Sequence, residues 1–430
     1  MALITKRPKG TADVVPAQVY KWHTVEKLAA ESAELYGFKE IRVPTFEDTG
    51  LFVRSVGETT DVVQKEMYTV TATGDSQFTL RPEGTAGVMR AMIENGILNE
   101  TFPQKAYYIV SCFRHENVQA GRLREFHQFG CEMVGTAAPR ADAEVISLAR
   151  SVFDNVGIEG VELNINSIGC PACRSAYQKA LKDYFTARKD CLCGDCHKRL
   201  ERNPMRLLDC KVPECKEAGK DAPLIIDYLC EDCKAHFESL KKDLDLMGIK
   251  YKVDPLIVRG LDYYTRTVFE FIKDGLTVCG GGRYDGLIEE LGGPATPALG
   301  FGMGLERLIS VMEKQGCEFA KPYQCDLYIA SMGESAAERA MQMAAELRGI
   351  GYYAEHDLVG RGIKPQMKYA NKIGAKYVIV IGDNELSAGS AKLKNMNTGA
   401  EQTIRLGEKF AEDFETIHTA ECFESVDLGQ

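Results

Sequence analysis

Long apolar runs are missing from this sequence. Its 430 residues contain no uninterrupted apolar stretch of about 18 residues, the length that a helix needs to cross a bilayer. The first residues, MALITKRPKG, lack the apolar core of a secretory signal peptide. Internal repeats and low-complexity tracts are missing as well. We therefore expect a cytoplasmic protein without a membrane partner.

Excess positive charge is missing too. The chain has 52 Lys and Arg against 62 Asp and Glu, which gives a formal net charge of −10 at pH 7. This balance argues against a protein that coats nucleic acid along its whole surface, although binding depends on where the charges lie. The 45% hydrophobic content and the length are typical of a globular chain with two or three domains. Local basic clusters are therefore the places to look for an anionic partner.

Apolar periodicity predicts how the chain is organised. A helical pattern over 17–36 is followed by short extended runs over 77–135, where strand formers alternate with polar residues as in an antiparallel sheet. The sheet-like pattern resumes at 256–272, so the cysteine-rich segment between them is predicted to be inserted into the sheet domain. Beyond about residue 322, strands and helices alternate as in a small α/β domain. The strands predicted there are DLYIAS, GYYAEH and AKYVIVIG, and the helices are 334–348 and 364–373.

The stretch FRHENVQAGRLREFHQFGCE, at 113–132, concentrates charge of both signs. If it forms a β-hairpin, Arg114, Arg122 and Arg124 lie near the open end of that hairpin. Guanidinium groups can grip phosphates with two hydrogen bonds, which favours an anionic substrate. The alternative is that these arginines pair with the glutamates of the same stretch on a solvated face.

Three other stretches carry charged groups at the ends of predicted elements. They are LRPEGTA at 80–86, VRGLDYYTRTVFE at 258–270 and LGFGMGLERL at 299–308. Together with the hairpin they resemble the three signature motifs of class II aminoacyl-tRNA synthetases, and the match is closest to the histidine-specific family. GLDYYTRTVFE, together with GGGRYDGL at 280–287, is the part that resembles this family specifically. KGTADVVP at 9–16 and residues 37–69 also match, so the resemblance covers nearly the whole chain.

The resemblance implies an α+β fold. Its parts are the class II synthetase antiparallel sheet with flanking helices, a helical cysteine-rich insertion and a C-terminal α/β anticodon-binding domain. The implied boundaries place the catalytic core at 1–168 and 251–320, the insertion at 169–250, and the anticodon-binding domain with its tail at 321–430. A homodimer formed through the region 17–44 is implied as well.

The resemblance also implies an activity, the ATP-dependent ligation of L-histidine to its tRNA. The carboxylate of histidine would attack the α-phosphorus of ATP, giving a histidyl adenylate and pyrophosphate, and transfer to the tRNA would then release AMP. Such a displacement needs charge neutralisation and alignment more than proton transfer. The expected substrates are therefore ATP, histidine and the tRNA, with Mg²⁺ screening the phosphates.

Matching positions assign roles to individual residues. The catalytic candidates are Arg114 and Arg259, both expected at the α-phosphate. The ATP-binding candidates are Arg114, Arg122, Gly304 and Arg307. The histidine-binding candidates are Glu83, Thr85, Gln128, Glu132, Tyr264 and Arg259, with Glu132 and Tyr264 expected at the imidazole. The tRNA-binding candidates are Gln119, Arg124, Lys364 and Lys368.

Residues 358–381 contain no acidic side chain. Lys364, Lys368 and Lys372 recur there every fourth residue, and Lys376 is expected beyond the end of the predicted helix. On a helix this spacing gives one cationic face. The face is either simply solvated or a phosphate-binding surface, and the implied anticodon-binding domain favours the second interpretation.

Nine of the 15 cysteines lie between Cys170 and Cys233. CPAC, CGDC and CEDC repeat the Cys-x-x-Cys spacing that zinc favours, and a reducing cytosol makes metal ligation a better explanation than disulfides. The candidate ligands are Cys170, Cys173, Cys193, Cys196, Cys210, Cys215, Cys230 and Cys233. Two four-thiolate sites, or one site with several free buried thiols, are both compatible with this pattern. The resemblance implies no metal in the insertion, so here the sequence departs from the family pattern.

Three other functions compete with this interpretation. The regulatory subunit of ATP phosphoribosyltransferase resembles these synthetases, but it lacks the C-terminal domain and typically departs from the active-site motifs that are intact here. Another class IIa synthetase would not carry GLDYYTRTVFE. A dinucleotide-binding loop at GFGMG would need a preceding strand, which GGPATPA does not provide.

Overall fold

The structure is a computed structural model that describes residues 5–57, 60–71, 76–119, 121–208, 210 and 212–425, with side chains up to residue 420. Residues 1–320 and 321–430 form two compact units. The division of the first unit at 168/169 and 250/251 stays a prediction. Among the helices of the described residues, none combines the length and the apolar composition of a membrane span.

Helices flank the sheets of the first unit. In its described residues they are α1 (Pro16–Leu35), α2 (Thr49–Val56), α3 (Thr85–Glu94), α4 (Pro139–Asn155), α5 (Pro171–Thr186), α6 (Gly194–Arg202), α7 (Pro213–Ala218), α8 (Glu231–Leu246), α9 (Leu287–Glu290) and α10 (Leu305–Gln315). Proline begins α1, α4, α5 and α7, because its fixed φ suits the first helical turn, where no N–H is needed. Gly316, with a φ of +76°, ends α10 in the left-handed conformation that glycine adopts without strain.

The strands of the first unit form a large sheet and a small one. In chain order they are β1 (Lys39–Glu40), β2 (Phe46–Asp48), β3 (Tyr68–Thr71), β4 (Gln77–Leu80), β5 (Gln104–Phe113), β6 (Glu125–Val134), β7 (Glu162–Ser167), β8 (Lys252–Val253), β9 (Thr265–Lys273), β10 (Leu276–Arg283) and β11 (Ala298–Gly304). The large sheet has the order β1-β5-β6-β11-β10-β9-β7-β8 and is antiparallel apart from its two outer pairs. The small antiparallel sheet has the order β2-β4-β3.

The two faces of the large sheet carry different chemistry. In β6, Phe129, Cys131 and Met133 are buried in a core that α1, α4, α8 and α10 share with the sheet. Because side chains alternate along a strand, Gln128 and Glu132 point to the opposite face. That face is only partly covered, and it carries the cleft described below.

The cysteine-rich insertion begins where the chain leaves the large sheet at the end of β7. After α5, α6, α7 and α8 the chain returns through β8 and forms β9, which pairs with β7 in antiparallel register. The strands before and after the insertion, β7 and β9, are therefore neighbours. The insertion is attached to the sheet at one place. Its short helical turns are Lys189–Cys191, Pro204–Leu207 and Ile225–Tyr228.

The second unit is a five-stranded sheet with helices. Its described elements are β12 (Leu327–Ser331), α11 (Glu334–Gly349), β13 (Ala354–His356), α12 (Ile363–Lys372), β14 (Tyr377–Ile381), α13 (Asp383–Ala388), β15 (Ser390–Asn395), β16 (Glu401–Arg405) and α14 (Phe410–Ser425). The strand order is β13-β12-β14-β15-β16, with the first three strands parallel and the last two added in antiparallel register. The predicted strands and helices of this unit are present, but the sequence interpretation missed everything after β14.

One prediction about an extended segment was wrong in part. The sheet-like pattern at 256–272 becomes a strand only from Thr265, because the backbone before it bonds elsewhere: the N–H of Asp262 donates to the carbonyl of Val56 at 3.1 Å. Arg266 has a φ of +50°, which breaks the regular ladder between β9 and β10. GFGMG forms most of β11, directly before α10.

Candidate active site

An open cleft of about 610 Å³ lies on the uncovered face of the large sheet. Arg114, Arg259 and Arg307 all line it, although they come from the end of β5, the loop before β9 and the start of α10. Three guanidinium groups from distant parts of the chain therefore share one cavity. Such a concentration of positive charge favours a polyanionic ligand.

Arg114 directly follows β5. Its backbone N–H donates to the carbonyl of Arg124 at 2.9 Å, which continues the pairing of the hairpin. Its Nε donates to the carbonyl of Pro82 at 2.8 Å, and its Cζ lies 5.4 Å from the centre of the Phe126 ring. A backbone carbonyl and an aromatic face thus orient this guanidinium without neutralising its charge.

The tip of the hairpin is a tight turn. The backbones of Gln119 and Arg122 bond to each other at 3.2 and 2.9 Å, and both residues line the cleft. Arg122 is ion-paired with Glu116, with Nη1 and Oε2 3.1 Å apart. Arg124 instead packs against Gly10, whose carbonyl accepts its backbone N–H at 2.7 Å. The structure therefore places Arg124 beside the N-terminal segment rather than in the cleft.

Arg307 is fixed by two carbonyls. Its Nε donates to Gly121 at 2.8 Å, and its Nη1 donates to Thr277 at 2.6 Å. Burial, together with the positive charge of Arg122, lowers the pKa of Arg307, although Glu116 acts in the opposite direction. Gly304, the residue before α10, lines the cleft beside it.

Arg259 is ion-paired with Glu270 of β9, and its Cζ lies 5.9 Å from the centre of the Tyr264 ring. Burial alone would lower the pKa of Arg259, but Tyr264 and Glu270 raise it overall. A Cβ added to Gly280 would lie 2.4 Å from the guanidinium, so only glycine leaves room for it at that position. The arginine is therefore held in one orientation before any ligand arrives.

Glu83 lies in the cleft at the start of α3, where its side chain is 3% exposed. Its carboxylate accepts the N–H groups of Thr85 at 2.7 Å and Ala86 at 2.9 Å, donors that have no partner within the helix. Burial raises the pKa of Glu83 despite these hydrogen bonds. A buried carboxylate of this kind gains most from a cationic ligand such as an ammonium group.

Glu132 is fully buried below the cleft and accepts hydrogen bonds from three hydroxyl groups. Thr85 Oγ1 lies 2.7 Å and the Tyr108 hydroxyl 3.0 Å from its Oε1, and the Tyr284 hydroxyl donates to its Oε2. Burial raises the pKa of Glu132 to about 8, and the nearby charge of Glu83 acts in the same direction. The carboxyl group is therefore poised to take a proton or to accept one further N–H.

Sequence reasoning missed Tyr108 and Tyr284 as site residues. Tyr284 lies in GGGRYDGL, a segment that the resemblance had singled out, so a signal existed for it. Tyr108 lies in the middle of β5, where a tyrosine is ordinarily part of the core. The rings of Tyr263 and Tyr264 are 4.7 Å apart, and Tyr263 and Tyr284 are 5.3 Å apart, so these phenols form one aromatic wall.

Glycines of β11 make room for the acidic and amide side chains of β6. A Cβ on Gly300 would lie 2.0 Å from Glu132 Oε2, and a Cβ on Gly302 would lie 1.8 Å from Gln128 Nε2. In the structure, the space above them holds side chains of the site itself.

A buried ion pair fixes the strand end that carries Tyr284. Arg283 is fully buried, pairs with the buried Asp142 of α4 and donates to the carbonyl of Thr136 at 2.7 Å. Burial alone would raise the pKa of Asp142, but the charge of Arg283 lowers it overall. Since an unpaired buried charge is costly, this contact holds the end of β10 in place.

The eight candidate metal ligands form two groups of four. The first, called the root cluster, consists of Cys170, Cys173, Cys230 and Cys233. The second, called the outer cluster, consists of Cys193, Cys196, Cys210 and Cys215. Within each group all sulfur atoms lie within 4.8 Å of one another. Cys191 is exposed and belongs to neither group.

In the second unit, Lys364, Lys368 and Lys372 lie on α12 and are all exposed. Their spacing places them on one face of the helix. Lys376 lies beyond the helix end, as the sequence predicted.

Comparisons with known proteins agree with this architecture. A family profile described as Histidyl-tRNA synthetase matches residues 10–172 and 219–308, and a second, described as Anticodon binding domain, matches 326–412. The chain is 53% identical over 408 residues to the Histidine–tRNA ligase of Acetivibrio thermocellus, covering 94% of this chain and 98% of that one. It is 55% identical over 399 residues to the Histidine–tRNA ligase of Clostridium novyi, covering 93% and 96%.

A solved structure gives the same result in three dimensions. The apo histidyl-tRNA synthetase of S. aureus aligns with a TM-score of 0.81 and 40% identity, over 96% of this chain and 100% of that one. The predicted fold class, a large antiparallel-rich sheet with helices and a C-terminal anticodon-binding domain, is thereby confirmed. On these matches, and with three arginines and a buried carboxylate in one cleft, the chain belongs to the histidyl-tRNA synthetase family.

Proposed function

We propose that this chain ligates L-histidine to its tRNA in two steps, forming histidyl adenylate from histidine and ATP and then transferring the histidyl group. The observation that carries the proposal is the cleft that Arg114, Arg259 and Arg307 line together with Thr85, whose hydroxyl donates to the buried carboxyl of Glu132 below. The arginines suit the phosphates of ATP, and the carboxyl group with its phenol neighbours suits an imidazole.

In the first step, Arg114 and Arg259 contact the α-phosphate. The attacking carboxylate of histidine is already ionised, so these residues neutralise and align charge rather than move a proton. Preorganisation supports this assignment, because Pro82 and Glu270 already orient the two guanidinium groups. Such donors act without reorganisation as charge develops.

The remaining nucleotide contacts come from the hairpin and from α10. Arg307, with Gly304 beside it, holds the nucleotide at the end of the cleft opposite the reacting phosphate, and Arg122 reaches the phosphates. Magnesium enters bound to ATP and screens the same charge. Two backbone carbonyls already fix the Arg307 guanidinium, which supports this role, and burial beside Arg122 lowers its pKa, so a bound polyanion would stabilise its charge.

Histidine lies with its α-amino group toward Glu83, Thr85 and Gln128 and its ring toward Glu132 and Tyr264. The ammonium pairs with Glu83, and its carboxylate meets Arg259. A ring N–H completes the set of donors around Glu132. Substrates without that donor leave a buried acceptor short of a partner, which is how such sites reject poor matches strongly.

The tRNA meets both units in this proposal. Gln119 and Arg124 of the hairpin meet its acceptor end, and Lys364 and Lys368 of α12 contact phosphates of the anticodon arm. The exposed lysine face of α12 supports the second part, because lysines exposed on one helix face suit a phosphate backbone.

Assembly, location and metal content complete the proposal. We propose a cytoplasmic homodimer that associates through the region 17–44, where β1 is an edge strand and the nearby Leu35 is 83% exposed. Light scattering should give twice the mass of one chain. We also propose that the cysteine-rich insertion holds structural zinc.

Exchange of labelled pyrophosphate into ATP, run with each amino acid in turn, tests the function. Exchange with histidine alone is the expected result. Exchange with another amino acid would place the chain in a different synthetase specificity. No exchange with any amino acid would overturn the proposed activity and favour a non-catalytic role for the same fold.

A further inference from the structure

The root cluster has the geometry of a tetrahedral metal site. Cys170 Sγ lies 3.6 Å from Cys173 Sγ and 4.0 Å from Cys230 Sγ, and none of these thiols forms a disulfide. Four sulfurs about 2.3 Å from a zinc ion would be about 3.8 Å apart in a regular tetrahedron. The backbone N–H of Cys230 also points at Cys173 Sγ, at 3.1 Å, which is the kind of outer contact that stabilises a thiolate ligand.

The outer cluster repeats this arrangement. Cys193 Sγ lies 3.9 Å from Cys210 Sγ, and the N–H of Cys193 points at Cys215 Sγ at 3.2 Å. Cys196, Cys210 and Cys215 are all buried. The family profile leaves out residues 173–218, so this cluster lies in a part of the chain that the general family pattern does not describe.

The segment around the outer cluster has little regular structure of its own, although Leu200, Leu207 and Ile225 in it are buried in a hydrophobic core of the first unit. Between residues 187 and 230 its helices are α6 and α7, of 9 and 6 residues, joined by short turns. Segments of this size rarely stay ordered on a hydrophobic core alone and commonly use a metal or disulfides. Four converging thiols without a disulfide therefore favour a metal.

Side chains of the insertion hold the loop that carries two site residues. Arg206 Nη2 donates to the carbonyl of Gly260 at 2.8 Å and to Asp262 Oδ1 at 2.9 Å. Asn203 Nδ2 donates to the same Asp262 oxygen at 3.2 Å, and Arg174 Nη1 approaches the Asp262 carbonyl at 3.4 Å. The insertion thus holds the Gly260–Asp262 segment through hydrogen bonds to the carbonyls of Gly260 and Asp262 and to the carboxylate of Asp262.

The positions of these side chains link them to the clusters. Asn203 and Arg206 lie between Cys196 and Cys210 of the outer cluster, and Arg174 directly follows Cys173 of the root cluster. The gripped segment, in turn, lies between Arg259 and Tyr264 in sequence. Order in the clusters can therefore be transmitted to the cleft through a few hydrogen bonds.

We propose that each cluster binds one zinc ion through four thiolates, and that the two ions hold the insertion in the arrangement in which Arg206 and Asn203 position the Gly260–Asp262 segment for histidine binding. The second half of this inference rests on the proposed function. Arg206 and Asn203 act here as positioning residues through their hydrogen bonds to this loop, and Arg206 also lines the cleft, so the KM for ATP is measured beside the KM for histidine.

Metal analysis of the purified chain tests the first half. About two zinc ions per chain are expected, one for each four-thiolate site. Replacing Cys210 and Cys215 together by serine should leave one ion, while Cys191→Ser, which changes an exposed thiol outside both clusters, should leave two. Zinc absent with all thiols open to titration would overturn the sites, and so would iron in place of zinc.

Pyrophosphate exchange with Arg206→Ala tests the second half without disturbing a metal ligand. The KM for histidine should rise roughly ten- to hundredfold, the scale expected for small misplacements at a site, while the KM for ATP stays within about twofold. Arg202→Ala, an exposed arginine at the end of α6, is the matched control and should leave both constants unchanged. Arg206→Ala should keep both zinc ions, because it changes no metal ligand.

Two outcomes separate this inference from the proposed function. If the unaltered chain exchanges with histidine but Arg206→Ala leaves the KM for histidine unchanged, the positioning role is wrong and the function stands. If the unaltered chain does not exchange with histidine at all, the function is wrong, and the zinc count still decides whether the two metal sites exist.

Discussion

Replacing Glu132 by glutamine should stabilise the protein while damaging its recognition of histidine. The substitution keeps the shape of the side chain and the acceptor toward Thr85 and Tyr108. On the other side, the hydroxyl of Tyr284 can accept the new N–H, because a phenol both donates and accepts. What the change removes is a buried ionisable group.

The magnitude follows from the pKa. Burial raises the pKa of Glu132 to about 8 in the folded chain, against an ordinary value of about 4.3. Below the ordinary pKa of about 4.3, Glu132 is protonated in both the folded and the unfolded state, and the free energy of unfolding is unaffected. As pH rises toward 8, the unfolded chain gives up the proton and the folded chain keeps it, so the folded state loses about 1.4 kcal/mol per pH unit relative to the unfolded one.

The glutamine variant is free of this loss. Its advantage over the wild type in free energy of unfolding should therefore grow by about 2.5 kcal/mol between about pH 5.5 and pH 7.5. Urea-induced unfolding at the two pH values measures it. Glu100→Gln, at an exposed position, reports what the loss of a surface carboxylate does by itself.

The same variant should lose affinity for histidine. At about pH 8 and above, where Glu132 is substantially ionised, a hydrogen bond to its charged carboxylate contributes about 1.5–3 kcal/mol, so the KM for histidine in pyrophosphate exchange should rise roughly 10- to 100-fold with the KM for ATP unchanged. A stability difference that does not change with pH would refute the buried, high-pKa carboxyl. An unchanged KM for histidine would refute its contact with the imidazole.

Three further predictions concern other parts of the site. Arg259→Ala should lower the rate of pyrophosphate exchange by roughly 10² to 10³, the usual loss for one preorganised donor, and near-normal exchange would remove Arg259 from the mechanism. Gly280→Ala should lower exchange through the displaced guanidinium, since the new Cβ would lie 2.4 Å from Arg259, and a crystal structure of the variant would show the shift. Changing Lys364, Lys368 and Lys372 together to alanine should weaken tRNA binding and its salt dependence while leaving exchange intact, and unchanged binding would make α12 a merely solvated face.

The order and spacing of motifs in the sequence were enough to predict the family and the main architecture. Arg114 and Arg307 lie in short stretches of sequence that match motifs of the family. Such local motifs can be recognised without knowledge of the fold. The Cys-x-x-Cys pairs were equally plain, because the two thiols of such a pair lie on adjacent turns of chain. The first helix, the strands of the charged hairpin and the first elements of the second unit followed from periodicity for the same reason.

Only the tertiary structure decided which distant groups meet. It joined the pair at Cys170 to the pair at Cys230, because the path of α5 to α8 sets those distances. It turned Tyr108 and Tyr284 toward one buried carboxyl, and it placed Arg206 against Gly260. Hydrogen bonds and ion pairs between residues far apart in sequence depend on strand register and helix packing, and those are properties of the whole fold rather than of any segment.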